Sequence, residues 1–106
     1  MNRETALALV QEQVQNDNLL KHMLAAEAIM RRLARHFQED EQMWGLAGLL
    51  HDVDYEKTKD TPEKHALVGA ELLKEKGVHP AIIQAVLAHA EKGPRLSLMD
   101  QALYAT

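Results

Sequence analysis

Apolar residues recur along the chain at the three- and four-residue spacing of amphipathic helices, and no segment shows the alternation typical of strands. Capping residues divide this pattern into separate helices. Three are predicted in the first half, at 2–14, 18–37 and 40–50, the second capped by Asn18 and the third opened by Asp40. A polar loop is expected to follow at 55–60.

Three further helices are predicted in the second half of the chain. Thr61 caps the fourth, which has a proline at its first position and ends at Gly77. The fifth starts at His79 and ends at a Lys-Gly-Pro stop, and residues 97–100 resemble a capping box that opens the sixth. The pattern therefore predicts an all-α bundle of about five to six helices.

The composition excludes several classes of protein. The 106 residues suffice for one domain, expected to span 1–106, and 46% hydrophobic with 26% charged residues excludes a disordered or fibrous chain. The absence of cysteine excludes disulfide scaffolds, thiolate zinc sites and cysteine nucleophiles. A net charge of −4 argues against a general nucleic-acid binder, so no nucleic-acid polymer is expected as a partner.

No targeting signal is visible. No apolar run approaches the roughly 18 residues of a membrane span, so no membrane partner is expected. The first residues lack the basic-then-apolar signature of a signal peptide, and the expected location is the cytoplasm. Six histidines in 106 residues are the feature that composition leaves unexplained, because no purification tag accounts for them.

Three of the histidines fall on inward faces of the predicted helices. His22 lies in the apolar arc of the second helix, beside Ile29. His65 lies near the centre of the inward face of the fourth helix, where Gly69 one turn later leaves space beside the imidazole. His89 lies among apolar residues of the fifth helix, away from its polar edge.

A fourth inward histidine, His51, ends the nearly all-apolar third helix and is followed directly by Asp52. The other two are expected outside this group. His36 falls with the basic residues of the second helix, and His79 precedes a proline and suits a cap or surface position. Four helices thus each contribute one inward imidazole.

A single inward histidine is most simply a core residue hydrogen-bonded to a carbonyl, and a plain helical bundle with core histidines remains one interpretation. Four of them with a carboxylate would lose several kcal/mol on burial without partners. A shared divalent cation offsets this loss because neutral imidazole and carboxylate are its ligands. Without cysteine the ligands are nitrogen and oxygen only, which suits Mn, Fe, Co, Ni or Zn.

The sequence motifs resemble a known family. The segment 48–52 (GLLHD), the upstream His22 and the downstream segments 64–71 (KHALVGAE) and 87–89 (LAH) are similar to the HD domain, a superfamily of helical metal-dependent phosphohydrolases. The resemblance runs from about Leu19 to the end of the chain. It implies an HD-domain-like helical bundle and hydrolysis of a phosphate ester, such as a nucleotide or related small phosphorylated metabolite.

The resemblance implies that His22, His51 and Asp52 bind a metal ion. In members with two ions, histidines at positions such as His65 and His89 complete a second site and the aspartate bridges the ions. In members with one ion, those two positions contact phosphate instead. One or two divalent ions are therefore expected, and Asp52, His65 and His89 are expected to be catalytic.

Other residues near the motif have two interpretations each. Lys57 and Lys64 could bind an anionic substrate, or they belong to a solvated loop. Asp54 could be a general base near the metal, or an ordinary loop carboxylate. Trp44 shares a helix face with His51 and is expected either to wall the site or to anchor the core.

One element of the family pattern is missing. The family ends with a second aspartate on a helix after the last histidine, whereas Asp100 is the only carboxylate on the sixth helix and suits a capping role. The domain is therefore expected to be incomplete at its C-terminus, and its uncovered apolar surface to drive formation of a homodimer or higher oligomer. The alternative function is a non-catalytic HD-type binding or regulatory module.

Overall fold

The polypeptide folds into helices throughout, as the spacing of apolar residues predicts. The structure, a computed structural model, describes residues 1–106 and contains no strand. The α-helices are α1 (Arg3–Gln13), α2 (Asp17–Phe37), α3 (Glu41–Leu50), α4 (Tyr55–Thr58), α5 (Leu67–Glu75), α6 (Pro80–His89) and α7 (Leu98–Ala105), with a 3-10 turn at Pro62–Lys64. The all-α prediction is confirmed, and none of these helices has the length and hydropathy needed to cross a bilayer.

Side-chain oxygens cap the starts of four helices. In each, a side-chain oxygen accepts a hydrogen bond from the backbone N–H three positions later, and the caps are Asn2, Asn16, Asp40 and Ser97. The predicted cap of the second helix, Asn18, is wrong by two residues because Asn16 accepts from the backbone of Leu19. The predicted capping box is confirmed, since Asp100 accepts in return from the backbone N–H of Ser97.

The predicted fourth helix is interrupted. Thr61 makes no side-chain cap, and Pro62–Lys64 form a single 3-10 turn. Ala66 then adopts the left-handed conformation with φ 68°, and regular helix resumes only in α5. His65 therefore lies in a turn rather than on a helix face, because its imidazole is held by carboxylates from the preceding loop.

The polar loop predicted at 55–60 contains a further short helix, α4. The hydroxyl of Thr58 donates to the carbonyl of Asp54, 2.9 Å away, and both side chains are buried. Hydrogen bonds within a turn satisfy backbone polar groups that would otherwise be buried without a partner. This segment is therefore an ordered support for the residues that precede it.

Helices α2 and α3 pack closely through a glycine. A Cβ added at Gly48 would lie 2.6 Å from the backbone carbonyl oxygen of Ala26, which is closer than non-bonded atoms approach. Around this crossing the core contains fully buried Met23, Met30 and Leu50. The close approach of backbones places the end of α3 directly beside α2.

Gly48→Ala is expected to destabilise the protein by about 2 kcal/mol, because the methyl group must push two helix backbones apart. The matched control is Gly93→Ala, whose added Cβ would meet its nearest neighbour at 3.7 Å, an ordinary contact. Urea unfolding of the two variants measures the difference. Equal midpoints for both variants would contradict the close-approach explanation.

An ion pair fastens α1 to α2. The carboxylate of Glu27 is buried, and it accepts hydrogen bonds of 2.7 and 3.0 Å from two nitrogens of the Arg3 guanidinium. Two parallel charge-assisted bonds compensate the burial of the carboxylate. The first helix is thereby docked on the side of the bundle formed by α2 and α3.

An apolar groove of about 470 Å³ remains open between α2 and α7. Ile29 and Phe37, which the periodicity places on the inward face of α2, are 47% and 43% exposed along it. The inward placement of these two residues is wrong because the short helix α7 covers only part of that face. Leu98 on α7 is also exposed beside the groove.

We expect the protein to self-associate through this groove, since burial of exposed apolar area contributes roughly 25 cal/mol per Å². Light scattering should give a mass above that of one chain. Ile29→Glu should return it to a monomer, whereas Leu67→Glu, at an exposed apolar position on α5, should not. A wild-type protein of monomeric mass at high concentration would contradict this expectation.

Candidate metal centre

Four imidazoles surround one carboxylate. The Nε2 atoms of His22 and His51 lie 3.5 and 3.1 Å from Oδ2 of Asp52. The Nε2 atoms of His65 and His89 lie 3.1 and 3.3 Å from its Oδ1. The four histidines predicted to share a site are thus brought together, two on each oxygen of the same aspartate. The inward placement of His22 is wrong, since its imidazole is exposed at the edge of the cluster.

Different elements supply these side chains. His22 comes from the second turn of α2, His51 and Asp52 follow directly after α3, and His89 is the last residue of α6. The imidazole of His22 is 51% exposed, whereas that of His51 is 8% exposed. The cluster is therefore open to solvent on the α2 side and closed on the α3 side.

Two of the imidazoles are oriented by helix carbonyls. Nδ1 of His51 lies 2.7 Å from the carbonyl oxygen of Gly48, and Nδ1 of His89 contacts the carbonyl oxygen of Val86. Both carbonyls belong to last turns of helices, where backbone acceptors lack intrahelical partners. An Nδ1–H that donates to a carbonyl leaves Nε2, the atom facing Asp52, as the ligating nitrogen.

The third imidazole is oriented by a buried carboxylate. Asp54 is 1% exposed, and its Oδ1 lies 2.8 Å from Nδ1 of His65. Its Oδ2 accepts from the backbone N–H of Gly69 at 2.7 Å, and a Cβ at that glycine would lie 3.1 Å from the same oxygen. The space at Gly69 therefore accommodates Asp54 and not, as predicted, the imidazole itself.

The sequence left the role of Asp54 open. The sequence left it as a loop carboxylate or a general base, but both of its oxygens are engaged in hydrogen bonds. Its partners lie 11 and 15 residues later in the chain, across the interrupted helix. No local sequence signal predicts these two contacts. The only indication of a special role is that Asp54 lies two residues after Asp52.

The charges of the cluster shift two pKa values. Burial raises the pKa of Asp52, but hydrogen bonds from His51, His65 and His89 outweigh it and hold that pKa far below its usual range. Hydrogen bonds to Asp52 and Asp54 raise the pKa of His65 to about 9, against burial. In the metal-free protein the raised pKa of His65 reflects its position between two carboxylates, with Nε2 facing Asp52 and Nδ1 facing Asp54.

The metal-free protein is expected to lose stability as the pH rises from 6.5 through 9. Because the pKa of folded His65, about 9, exceeds its unfolded value of 6.5, the stabilisation is complete below pH 6.5 and disappears above pH 9. The expected loss is about 1–2 kcal/mol once solvent screening is allowed for. Urea unfolding in a chelator at several pH values measures it, and His65→Gln should be flat over the same window.

Several predicted side chains lie outside the cluster. Lys57 and Lys64 are exposed and form no ion pair within the chain. Trp44 is buried near the start of α3, seven residues before His51, with its ring centroid 6.2 Å from that of Phe37. It therefore packs in the core beside Phe37, as the second interpretation of this residue expects.

The other predicted positions behave as local structure. Asp100 is buried as the capping-box carboxylate of α7 and accepts from the backbone of Leu96 and Ser97. His79 caps α6 by accepting from the N–H of Ala81, and His36 is exposed. None of these three belongs to the cluster around Asp52.

The donor set fits divalent metal ions. Two groups of ligand atoms, each within 4.8 Å, share Asp52: one contains His22 and His51, the other His65 and His89. All donors are imidazole nitrogens or carboxylate oxygens, which suit Mn, Fe, Co, Ni or Zn. Three of the four imidazoles have their second nitrogen held by a fixed acceptor, as ligating histidines generally do.

Comparison with known proteins agrees with this site and fold. Residues 19–106 match the HD domain, and the chain belongs to this family of metal-dependent phosphohydrolases. The resemblance read from the motifs at 48–52, 64–71 and 87–89 is thereby confirmed.

Named relatives share this domain. The chain is 38% identical over 72 residues to Ribonuclease Y of a Sulfurovum species. This match covers 68% of this chain and 14% of the relative. It is 33% identical over 84 residues to Ribonuclease Y of Oleidesulfovibrio alaskensis, covering 79% of this chain and 16% of the relative. The chain thus spans a small part of these relatives' length, and no solved structure matches it.

Proposed function

We propose that this protein is a metal-dependent phosphohydrolase whose divalent ions would be held by four histidines and the Asp52 that they share. The observation that carries the proposal is the division of four Nε2 atoms between the two oxygens of one carboxylate. His22 and His51 would hold one ion with Oδ2, and His65 and His89 the other with Oδ1. With a single ion at His22 and His51, the other two imidazoles would instead contact phosphate.

Divalent ions bound at such a site would act as Lewis acids on a phosphate oxygen, and they would lower the pKa of a water molecule that attacks the phosphorus. The protein's own residues orient the reaction. Asp52 lies two residues beyond the end of α3, and Asp54 accepts a hydrogen bond that would orient the ring of His65. The exposed imidazole of His22 marks the side from which a substrate reaches the cluster.

The substrate class follows from this chemistry. A phosphate ester, carried by a nucleotide or related metabolite, suits a site that concentrates positive charge around one carboxylate. Because the relatives are named Ribonuclease Y, an RNA phosphodiester is a second candidate substrate. Lys57 and Lys64 are exposed and lie in the chain between Asp52 and His65. They could attract either a phosphorylated metabolite or an RNA strand.

The proposal is tested by removing metal with a chelator and adding back Mn, Fe, Co, Ni or Zn singly. Hydrolysis of a 5′-mononucleotide, ribose 5-phosphate or a short oligoribonucleotide should disappear with the chelator and return with at least one ion. The alternative, a non-catalytic module, predicts no hydrolysis and helix content and thermal stability that are unchanged by metal. Circular dichroism of the same samples separates the two.

A further inference from the structure

An open cleft of about 190 Å³ adjoins the histidine cluster and has no part in the proposed mechanism. It lies between the start of α2 and the short helix α4, and it is lined by Asn16, Leu19, Tyr55, Glu56 and Lys59. These residues combine an aromatic ring, an aliphatic side chain, an amide and an ammonium group. Such a mixture is typical of sites that bind a flat ring joined to polar and anionic groups.

The position of the cleft relates it to the cluster. Leu19 precedes His22 by three residues on α2, so the two side chains share one face of the helix. The ring centroid of Tyr55 lies 6.2 Å from that of His65, edge to face. A molecule whose phosphate reaches the cluster would therefore place its next group over this cleft.

The walls of the cleft are ordered. Oε2 of Glu56 accepts from the backbone N–H groups of Gln15 and Asn16, at 2.7 and 3.1 Å. This carboxylate is engaged with the turn before α2, and it joins α4 to α2 across the cleft. Thr58 closes α4 on the other side by donating to the carbonyl of Asp54. The hydrogen bonds of Glu56 join α4 to the turn before α2, and both elements line the cleft.

The surface of the cleft is available for contact. Tyr55 is 48% exposed despite its position beside a buried cluster, and its hydroxyl forms no hydrogen bond within the chain. An exposed aromatic face of this kind offers a platform on which a planar ring can stack. Lys59 is exposed with no ion-pair partner, and Asn16 uses its side-chain oxygen for the cap, which leaves its amide N–H groups free.

We propose that this cleft binds the nucleobase of the substrate, with the base stacked on Tyr55 against Leu19 while the attached phosphate lies at the histidine cluster. The inference rests on the proposed function for the position of the phosphate. An aromatic ring and an aliphatic side chain line the same cleft, which suits a planar base, and the ammonium group of Lys59 on that lining would attract an anionic backbone. Tyr55 is in this view a specificity-determining residue and takes no part in bond cleavage.

The test measures equilibrium binding by ligand-observed NMR, which needs no turnover. Adenosine and the non-hydrolysable phosphonate analogues of adenosine 5′-monophosphate and ribose 5-phosphate are titrated into the metal-loaded protein and its variants. Tyr55→Ala should weaken binding of the first two by about fivefold to a hundredfold and leave that of the ribose 5-phosphate analogue unchanged. Tyr55→Phe, which keeps the ring, should bind like wild type. Tyr104→Ala is the matched control, since Tyr104 is an exposed tyrosine on α7.

Unchanged adenosine binding in Tyr55→Ala overturns the proposal, even if the enzyme hydrolyses every phosphate ester offered. Binding of adenosine that depends on Tyr55, in a protein that hydrolyses none of them, supports the cleft and removes the proposed function instead. The two proposals therefore fail separately.

The source of the base is resolved by a second pair of ligands, the mononucleotide and an oligoribonucleotide of four adenosines. Tighter binding of the oligomer than of the mononucleotide, lost in Lys59→Ala, identifies an RNA strand. In that variant the slope of the logarithm of the binding constant against the logarithm of the salt concentration should fall by about one unit. Equal binding of both ligands identifies a free nucleotide. Lys76→Ala, at an exposed lysine after α5, is the control for loss of charge alone.

Discussion

Asp52→Ala is expected to remove all tightly bound divalent metal from the protein. Every one of the four clustered imidazoles points its Nε2 at this carboxylate, so no pair of them keeps a shared anionic ligand when it is lost. Hydrolysis should fall by at least about a hundredfold, since the metal supplies several kcal/mol of charge stabilisation. The double variant His51→Ala/Asp52→Ala should behave in the same way. Metal content of the purified protein by mass spectrometry measures the effect, with about two ions per chain expected in wild type.

The control variants are His36→Ala and His79→Ala, because both histidines lie outside the cluster. Each should retain the metal content of wild type. A wild-type protein that takes up no ion after reconstitution, or an Asp52→Ala variant that keeps its ions, would rule out the site. One ion per chain in wild type would favour the arrangement in which His65 and His89 contact phosphate.

Asp54→Asn is expected to remove one ion and leave the other. Both carboxylate oxygens of Asp54 accept hydrogen bonds, one from His65 and one from the backbone of Gly69. An asparagine has a single acceptor oxygen, so its NH₂ group must face a second donor, and the orientation of His65 is lost. Affinity for the ion at His65 and His89 should fall about ten- to a hundredfold. Metal titration followed by calorimetry resolves the two ions.

The matching variants separate this effect from general damage to the fold. His65→Gln should lose the same ion as Asp54→Asn, and Asp60→Asn, at an exposed carboxylate of the same loop, should lose neither. Helix content measured by circular dichroism should be similar in all three. Two ions bound with wild-type affinity by Asp54→Asn would show that Asp54 does not orient a metal ligand.

Helix positions were readable from the sequence because they depend on neighbours within four residues. The caps at Asp40 and Ser97 and the apolar runs of α3 and α6 are local features, and local features also define the motif around His51. Four inward histidines on separate helices indicated a shared site before their distances were known. The family resemblance, carried by the same residues, is confirmed over 19–106.

Long-range contacts decided the remaining features. A propensity-based helix from Thr61 would keep His65 on a helix face, but Asp54 binds partners 11 and 15 residues ahead and the chain breaks at Ala66 to allow it. The exposure of Ile29 likewise depends on how much of α2 the distant helix α7 covers. The sequence by itself therefore determined the all-α class, most of the helices and the family, and it predicts nitrogen and oxygen ligands. Only the tertiary structure decided which carboxylate orients His65, because buried polar groups must find partners wherever the fold provides them.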